Sequence, residues 1–358
     1  MGDPLRIGVV GCGVISSAYL ETAGRVPDLE VVAVADADPT RARHAADTHA
    51  LRAVSLDELW ADDEIEWVLD LTTPGAHAEV ALTALESGFS VYNEKPLCAT
   101  TADARQVLDA AADAGLAVGS APDTVLGTGI QTARAALEAG AIGRPVAATA
   151  TMACAGHELW HPHPDFYYAP GGGPLFDMGP YYLTALVHLL GPVESVQAVA
   201  RRPRDVRTIA SGPRAGTEVP VEVATHVTAL VEHASGTVST LVMSFDAPSS
   251  RAMPIEVHGE EGSMVVPDPN TFDGAVEVRA TEGDWTTVPV RAGYPGAARG
   301  FGLVDVARSG DRRTGRASAE VALHVLDVME CVVAAAEERR RVDVASTCLV
   351  PPLVPLTG

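Results

Sequence analysis

Short apolar runs and helical patterns alternate along the first third of the chain. Apolar runs fall at 5–10, 29–35, 65–71, 89–93 and 116–120, and apolar positions recur at helical spacing over 17–24, 41–48, 56–61, 76–87 and 101–114. Near-continuous apolar strands alternating with helices predict a parallel sheet covered on both faces, a doubly wound α/β unit. The rhythm changes after Pro122. A helix over 127–139 closes at Gly140, and alternating runs then follow at 145–153, 193–201, 219–232, 237–245, 254–258, 263–267, 275–280 and 285–290. Ser235-Gly236 and Glu261-Gly262 have the composition of hairpin turns. Strands that follow one another without helices predict a mostly antiparallel sheet and an α+β second domain. A long amphipathic helix over 319–341, with Val321, Val325, Val328 and Val332 on one side, ends the pattern. The expected division is 1–122 and 123–358.

A parallel sheet binds its ligands beyond the carboxyl ends of its strands. Gly11, Asp36, Thr72-Thr73-Pro74, Glu94-Lys95 and the stretch 121–123 all fall at those ends. The turn Gly11-Cys12-Gly13-Val14-Ile15-Ser16 joins the first strand to the first helix. Such a turn points backbone N–H groups inward, and the helix start adds partial positive charge, so a pyrophosphate binds there. Ser16, in the place of a third glycine, is small enough for close helix–strand packing. Asp36 ends the second strand 23 positions beyond Gly13, where a ribose 2′-hydroxyl is accepted. Its carboxylate repels a 2′-phosphate, and Ala37 offers no arginine to hold one, so the expected cofactor is NAD rather than NADP. His77 starts a helix on the same rim and reads either as a cofactor contact or as a surface residue of that helix end.

Composition narrows the partners. The chain has 358 residues, 47% of them hydrophobic and 20% charged, which suits two globular domains. A formal net charge of −22 argues against nucleic acid and anionic membrane surfaces, which need clustered positive charge. No apolar run reaches a membrane span, and Met1-Gly-Asp-Pro leads directly into a strand pattern, so no signal peptide is expected. Five cysteines, widely spaced and without a C-x-x-C pair, fit reduced cytoplasmic usage with neither disulfides nor a zinc site.

The charge inventory also singles out one residue. Among 25 basic residues Lys95 is the only lysine; every other one is arginine. A compact ammonium with a tunable pKa does what a planar guanidinium cannot. Pro96 biases Lys95 toward an extended backbone, which partly presets the ammonium.

Two inserts interrupt the second sheet. His157-Glu-Leu-Trp160-His161-Pro-His163 is rich in histidine and aromatics that no sheet needs there. Its prolines make a helical metal pair at 157 and 161 unfavourable, and a substrate-lining loop is the stronger expectation. Gly171-Gly-Gly then precedes a helix in which Asp177 and Tyr181, four apart, share a face. The bland alternative has Asp177 as an N-cap and Tyr181 as a buried aromatic.

In order, strand–Gly-Cys-Gly–helix, Asp36, Thr-Thr-Pro, Glu-Lys-Pro and Gly-Gly-Gly…Asp-x-Gly-x-Tyr resemble the Gfo/Idh/MocA oxidoreductases, relatives of glucose–fructose oxidoreductase and inositol 2-dehydrogenase. The resemblance covers essentially the whole chain. It implies an N-terminal Rossmann domain for NAD(P) and a C-terminal domain whose large open sheet forms the substrate cleft. It also implies a homodimer or homotetramer through that sheet. The implied reaction is oxidation or reduction of a hydroxyl of a sugar, inositol or related polyol. Carried over by motif, the catalytic residues are Lys95, Asp177 and Tyr181. Tyr181 stands where the family usually has histidine, and Thr184 where many members have Asp or Asn.

The expected mechanism pairs hydride transfer to the nicotinamide with loss of the hydroxyl proton to a base. A neighbouring ammonium lowers a phenol's pKa, so Lys95 would tune Tyr181 while Asp177 holds the lysine and a substrate hydroxyl. His157 or His161 could be the base instead. Asp123, Thr124, His157, Trp160 and His161 are the expected substrate contacts, with Arg316 nearby. The expected cofactor contacts are Gly11, Cys12, Gly13, Val14, Ile15, Asp36, Thr72, Thr73, Pro74, His77, Glu94 and Lys95. The same residues also suit an enzyme that keeps NAD bound and recycles it, in epimerisation, elimination or glycoside cleavage. A non-catalytic NAD-binding sensor would have no use for Lys95, Asp177 and Tyr181 together.

Overall fold

A computed structural model describes residues 3–309, 311, 313 and 315–356, so Met1 and Gly2 of the leading stretch lie outside the described residues. The chain divides into two compact units, residues 1–127 with 296–323 and residues 128–295 with 324–358.

The first unit alternates as its apolar pattern requires. It runs β1 (Leu5–Val10), α1 (Ser16–Ala23), β2 (Leu29–Ala35), α2 (Pro39–His49), α3 (Leu56–Trp60), β3 (Trp67–Asp70), α4 (His77–Glu86), β4 (Ser90–Asn93), α5 (Thr101–Ala114) and β5 (Val118–Ser120). The five strands pair in parallel in the order β2-β1-β3-β4-β5. β3 and β4 are buried along their whole length, which is why they lack the apolar–polar alternation of a half-exposed strand. Short polar side chains set the helix starts: Asp38 caps α2, Ser55 and Glu58 form a capping box on α3, and Thr100 caps α5. β1 has β2 on one side and β3 on the other, so the crevice beyond its carboxyl end is the topological switch point.

The second unit begins with α6 (Thr128–Glu138), β6 (Pro145–Ala153), α7 (Gly173–Leu190) and β7 (Val193–Arg201). A small ribbon follows, of β8 (Val206–Thr208) and β9 (Glu218–Pro220). Then come β10 (His226–His233), β11 (Val238–Ser244), β12 (Ile255–Gly259), β13 (Gly262–Val266), β14 (Glu277–Ala280) and β15 (Thr286–Thr287). Past α8 (Phe301–Arg308), which belongs to the first unit, lie α9 (Ala319–Glu338) and β16 (Val342–Asp343). Nine strands form one sheet in the order β15-β14-β13-β12-β6-β11-β10-β7-β16. Every neighbouring pair is antiparallel except β6 with β11. α7, buried through most of its length, lies against β6, β10 and β11.

Two expected strands are shorter than their apolar runs. The run over 219–232 breaks because β9 ends at Pro220, which has no N–H to donate, and β10 starts only at His226. The run over 285–290 forms strand only at Thr286–Thr287, with Val288 N–H still donating to Val276 O at 2.8 Å ahead of Pro289. A single boundary at 122/123 also differs from the observed units, because residues 296–323 return to the first. There Arg308 pairs with Asp28 at 3.0 Å, Ser120 N–H donates to Ala317 O at 3.1 Å, and Gly119 bridges to Ser318.

Candidate active site

The turn after β1 is shaped by two glycines with different reasons to be glycine. Gly11 has φ +95°, and a Cβ there would fall 2.7 Å from the carbonyl carbon of Leu71. It therefore packs backbone on backbone against the end of β3. A Cβ on Gly13 would meet no protein atom within 4 Å. Gly13 borders open space, the room a pyrophosphate against this backbone requires. No side chain caps α1, and Val14, just before it, is 96% exposed. Cys12 N–H donates to Asp36 Oδ2 at 2.7 Å, and Asp38 N–H donates to Asp36 Oδ1 at 2.8 Å. Both carboxylate oxygens are thus oriented at the end of β2 and each keeps a lone pair for a ribose hydroxyl. Turn, helix start and carboxylate together fit NAD.

Lys95 sits on a turn pinned at four points. Glu94 accepts from Tyr19 Oη of α1 at 2.7 Å and from Lys95 N–H at 2.7 Å. His77 Nδ1 donates to Pro96 O at 2.8 Å, and Asn93 Nδ2 donates to Leu97 O at 2.9 Å. The Lys95–Pro96 peptide is cis, and Lys95 itself is half-buried. His77 is wholly buried, with Nε2 3.3 Å from Thr72 O, so its ring joins the Thr72 and Pro96 turns and is not a surface residue of the helix end. Glu94 is likewise buried and committed to Tyr19 and its own chain. Asp70 behind them holds Thr72 through N–H at 2.9 Å and Oγ1 at 2.6 Å, and burial pushes its carboxyl above the ordinary range. Thr73 and Pro74 are exposed at the rim.

Asp123 and Thr124, expected at the substrate, are both wholly buried. Asp123 Oδ2 accepts from Gly300 N–H at 2.8 Å and Gly302 N–H at 3.0 Å, latching residues 296–323 onto the first unit. Burial raises this carboxyl to about 6. Arg316 is committed too, since its N–H and its guanidinium both bind Asp305.

In the second unit α7 starts at Gly173, with Pro174 in its first turn. Asp177 and Tyr181 lie one turn apart, Asp177 half-buried and Tyr181 buried. The insert brings His157 to this helix, with Nε2 2.9 Å from Asp177 Oδ2. Periodicity could not foresee this pair, which spans 20 residues and a loop. Trp160 is 59% exposed at the edge of the insert. Burial lowers the His161 pKa, and His161 Nδ1 accepts from His163 N–H at 3.1 Å. Sequence reasoning missed Arg207, whose buried guanidinium binds Glu158 at 2.9 Å and Asp246 at 2.5 Å under the insert. One arginine among many carries no sequence signal. Among the described residues no group of three His, Cys, Asp or Glu side chains could hold a metal, and no helix is long and apolar enough to cross a membrane.

Comparison with known proteins follows the same two-part division. The profile described as "Oxidoreductase family, NAD-binding Rossmann fold" matches residues 5–121, and that of the GFO/IDH/MocA C-terminal domain matches residues 130–265. Inositol 2-dehydrogenase of Salmonella typhimurium is 39% identical over 110 residues, which span 30% of this chain and only 33% of that protein. A dTDP-3,4-didehydro-2,6-dideoxy-alpha-D-glucose 3-reductase of Streptomyces antibioticus is 30% identical over 278 residues, 73% of this chain and 83% of the relative. The solved structure of a levoglucosan dehydrogenase in complex with NADH and L-sorbose superposes with a TM-score of 0.80 at 22% identity, covering 96% of this chain and 100% of that one. Matched in both halves and along most of a curated relative, the chain belongs to the Gfo/Idh/MocA oxidoreductase family, with an NAD-binding Rossmann domain at its N-terminal end.

Proposed function

We propose that the protein is an NAD-dependent dehydrogenase or reductase that moves a hydride between NAD(H) and a hydroxyl or keto carbon of a sugar, inositol or related polyol. The observation that carries this reading is the pinned turn 94–97, which presents the chain's only lysine at the cofactor-binding end of the sheet. The relatives given above are named for inositol, a nucleotide-linked dideoxy sugar and levoglucosan, which supports a sugar or cyclitol substrate.

The turn 11–15 would hold the pyrophosphate, and Asp36 the adenosine ribose. When bound, the nicotinamide accepts or returns the hydride. The protein's own task is then the proton and the charge on the carbinol oxygen. In this assignment the Lys95 ammonium stabilises the oxygen as it becomes negative. Tyr181 takes or returns its proton, and the Asp177 carboxylate orients a substrate hydroxyl. The exposed Trp160 ring suits stacking on the apolar face of a sugar. The reading extends to a homodimer or homotetramer joined through the open sheet and, with five free thiols, to the reducing cytoplasm.

The test combines a panel of sugars, inositols and their keto forms with K95R, read at the nicotinamide absorbance. K95R keeps the charge but moves and spreads it, so kcat should fall about 100-fold or more while NADH affinity stays within about threefold. Near-normal turnover in K95R would remove Lys95 from its role. Product formation without bulk NAD reduction would instead favour a recycled, tightly held cofactor.

A further inference from the structure

The insert before α7 contains a pairing that the motifs leave unassigned. We propose that His157 is a positioning residue: its Nε2–H donates to Asp177 and fixes the orientation of that carboxylate, while Nδ1 carries no proton. The proposal rests on Asp177 taking part in the reaction proposed above.

The hydrogen-bonding partners dictate the tautomer. A carboxylate oxygen only accepts, so the imidazole nitrogen 2.9 Å from Asp177 Oδ2 must be the one that donates. The other nitrogen, Nδ1, is buried and has no hydrogen-bond partner. A proton there would leave a buried N–H unsatisfied, which costs more than an unused lone pair. Of the two neutral tautomers, only the one protonated at Nε2 meets both conditions.

The ring is also held in place. Tyr167 and Phe245 have their ring centroids 4.4 Å from it, and Trp160 lies at 5.1 Å, each inclined by 51° or more. These are the edge-on and tilted contacts that aromatic pairs prefer, and they leave little space for a flip. With Nε2 engaged and Nδ1 covered, neither nitrogen is free to act as the base, which separates positioning from catalysis.

A buried ionic cluster fixes the backbone beneath the ring. His157 N–H donates to Tyr168 Oη at 3.2 Å, and Tyr168 Oη donates to Glu158. Arg207 donates to Glu158 Oε1 at 2.9 Å, Ala155 O at 3.2 Å, Phe245 O at 3.1 Å and Asp246 Oδ1 at 2.5 Å. One guanidinium therefore ties the segment carrying His157 to the end of β11, beside the Phe245 ring that walls it. A buried arginine with two carboxylates is weak evidence for stability, because desolvation offsets much of the attraction. Its contribution here is a defined geometry. Gly156 fits the same design: a Cβ there would lie 2.2 Å from Glu158 Oε2, at a φ of +110°.

Two measurements test the assignment. In histidine-labelled protein without substrate, long-range ¹H–¹⁵N spectra separate the tautomers, and the His157 signals are those missing from H157Q. The expected pattern is a protonated Nε2 and a bare Nδ1; a proton on Nδ1 overturns the proposal. In kinetics, the Gln amide nitrogen reaches the Nε2 position, whereas that of Asn stops near Nδ1. H157Q should stay within about threefold of wild-type kcat and H157N should lose roughly 10- to 100-fold, with NADH affinity unchanged in both. Equal losses in the two folded variants would reduce His157 to packing and sink the idea. The spectra need no turnover, so failure of the substrate assignment and failure of this pairing remain distinguishable.

Discussion

Asp123 shows how much a single buried group decides. One of its oxygens accepts two backbone N–H bonds, and the other is buried without a partner. Loss of water outweighs the nearby Arg299 and the two amides, and raises the carboxyl from 3.8 to about 6. A folded pKa above the unfolded one means that the native state binds the proton more tightly. The associated stability is fully present below about pH 4 and is lost as pH rises through about 6, amounting to roughly 3 kcal/mol. D123N keeps one oxygen for the glycine amides and removes the titration. Its melting temperature, measured against wild type, should gain a few degrees between pH 4 and pH 7. A constant difference across that range would show that Asp123 is not the titrating group. The sequence made Asp123 a substrate candidate because it stands at a strand end, but strand ends also anchor the fold. Lys95 and Asp36 stood out as candidates because type and place coincided: a lone lysine, and an acid at the end of the second strand. His157 was legible only as an unexplained histidine, since its partner is set by a loop that has no period.

At the scale of the element, the turn between β1 and α1 separates folding from binding. Gly11 is held by a positive φ and by backbone at 2.7 Å, whereas Gly13 faces space that no protein atom fills. G11A should cost about 2 kcal/mol or more, because a Cβ there is both strained and in collision. G13A should leave the melting temperature within about a degree of wild type yet weaken NADH binding about tenfold or more, since a methyl would intrude where the pyrophosphate approaches. Calorimetry together with NADH titration checks both; a G13A protein that binds normally would remove this turn from the cofactor site. The alternation of strands and helices in the first unit was fully readable, because buried parallel strands and capped helices leave strong local signals. Two features were hidden. The break after Pro220 fell within a single alternating run, and the return of 296–323 to the first unit depends on Asp123 and Ala317 finding partners across long stretches of chain.

For the whole molecule, the question is what an acidic protein does with an uncharged patch, bordered on the same side of the sheet by Glu232 and Glu256. On the outer side of the large sheet, Leu230 stands between Gln197 and Thr240, and Thr228 stands between Val199 and Val242. Thr149 and Thr151 continue these rows on β6. Leu230 is 47% exposed and Val199 53%, and neither row carries a charge on β7, β10, β11 or β6, although the chain as a whole bears −22. Self-repulsion keeps most of such a surface apart from its own copies. An uncharged patch of Thr, Val, Leu and Gln is the surface on which repulsion is least and apolar burial greatest. Pairing of two copies about a twofold axis would put this patch against itself, so one substitution acts on both sides at once. L230E would place two carboxylates within an apolar contact, a cost of several kcal/mol against association. Light scattering should therefore find the wild type at a multiple of 37.1 kDa and L230E at or near that mass, with the same thermal unfolding at low concentration. A wild type that is monomeric at micromolar concentration, or an L230E protein of unchanged mass, would place the assembly surface elsewhere.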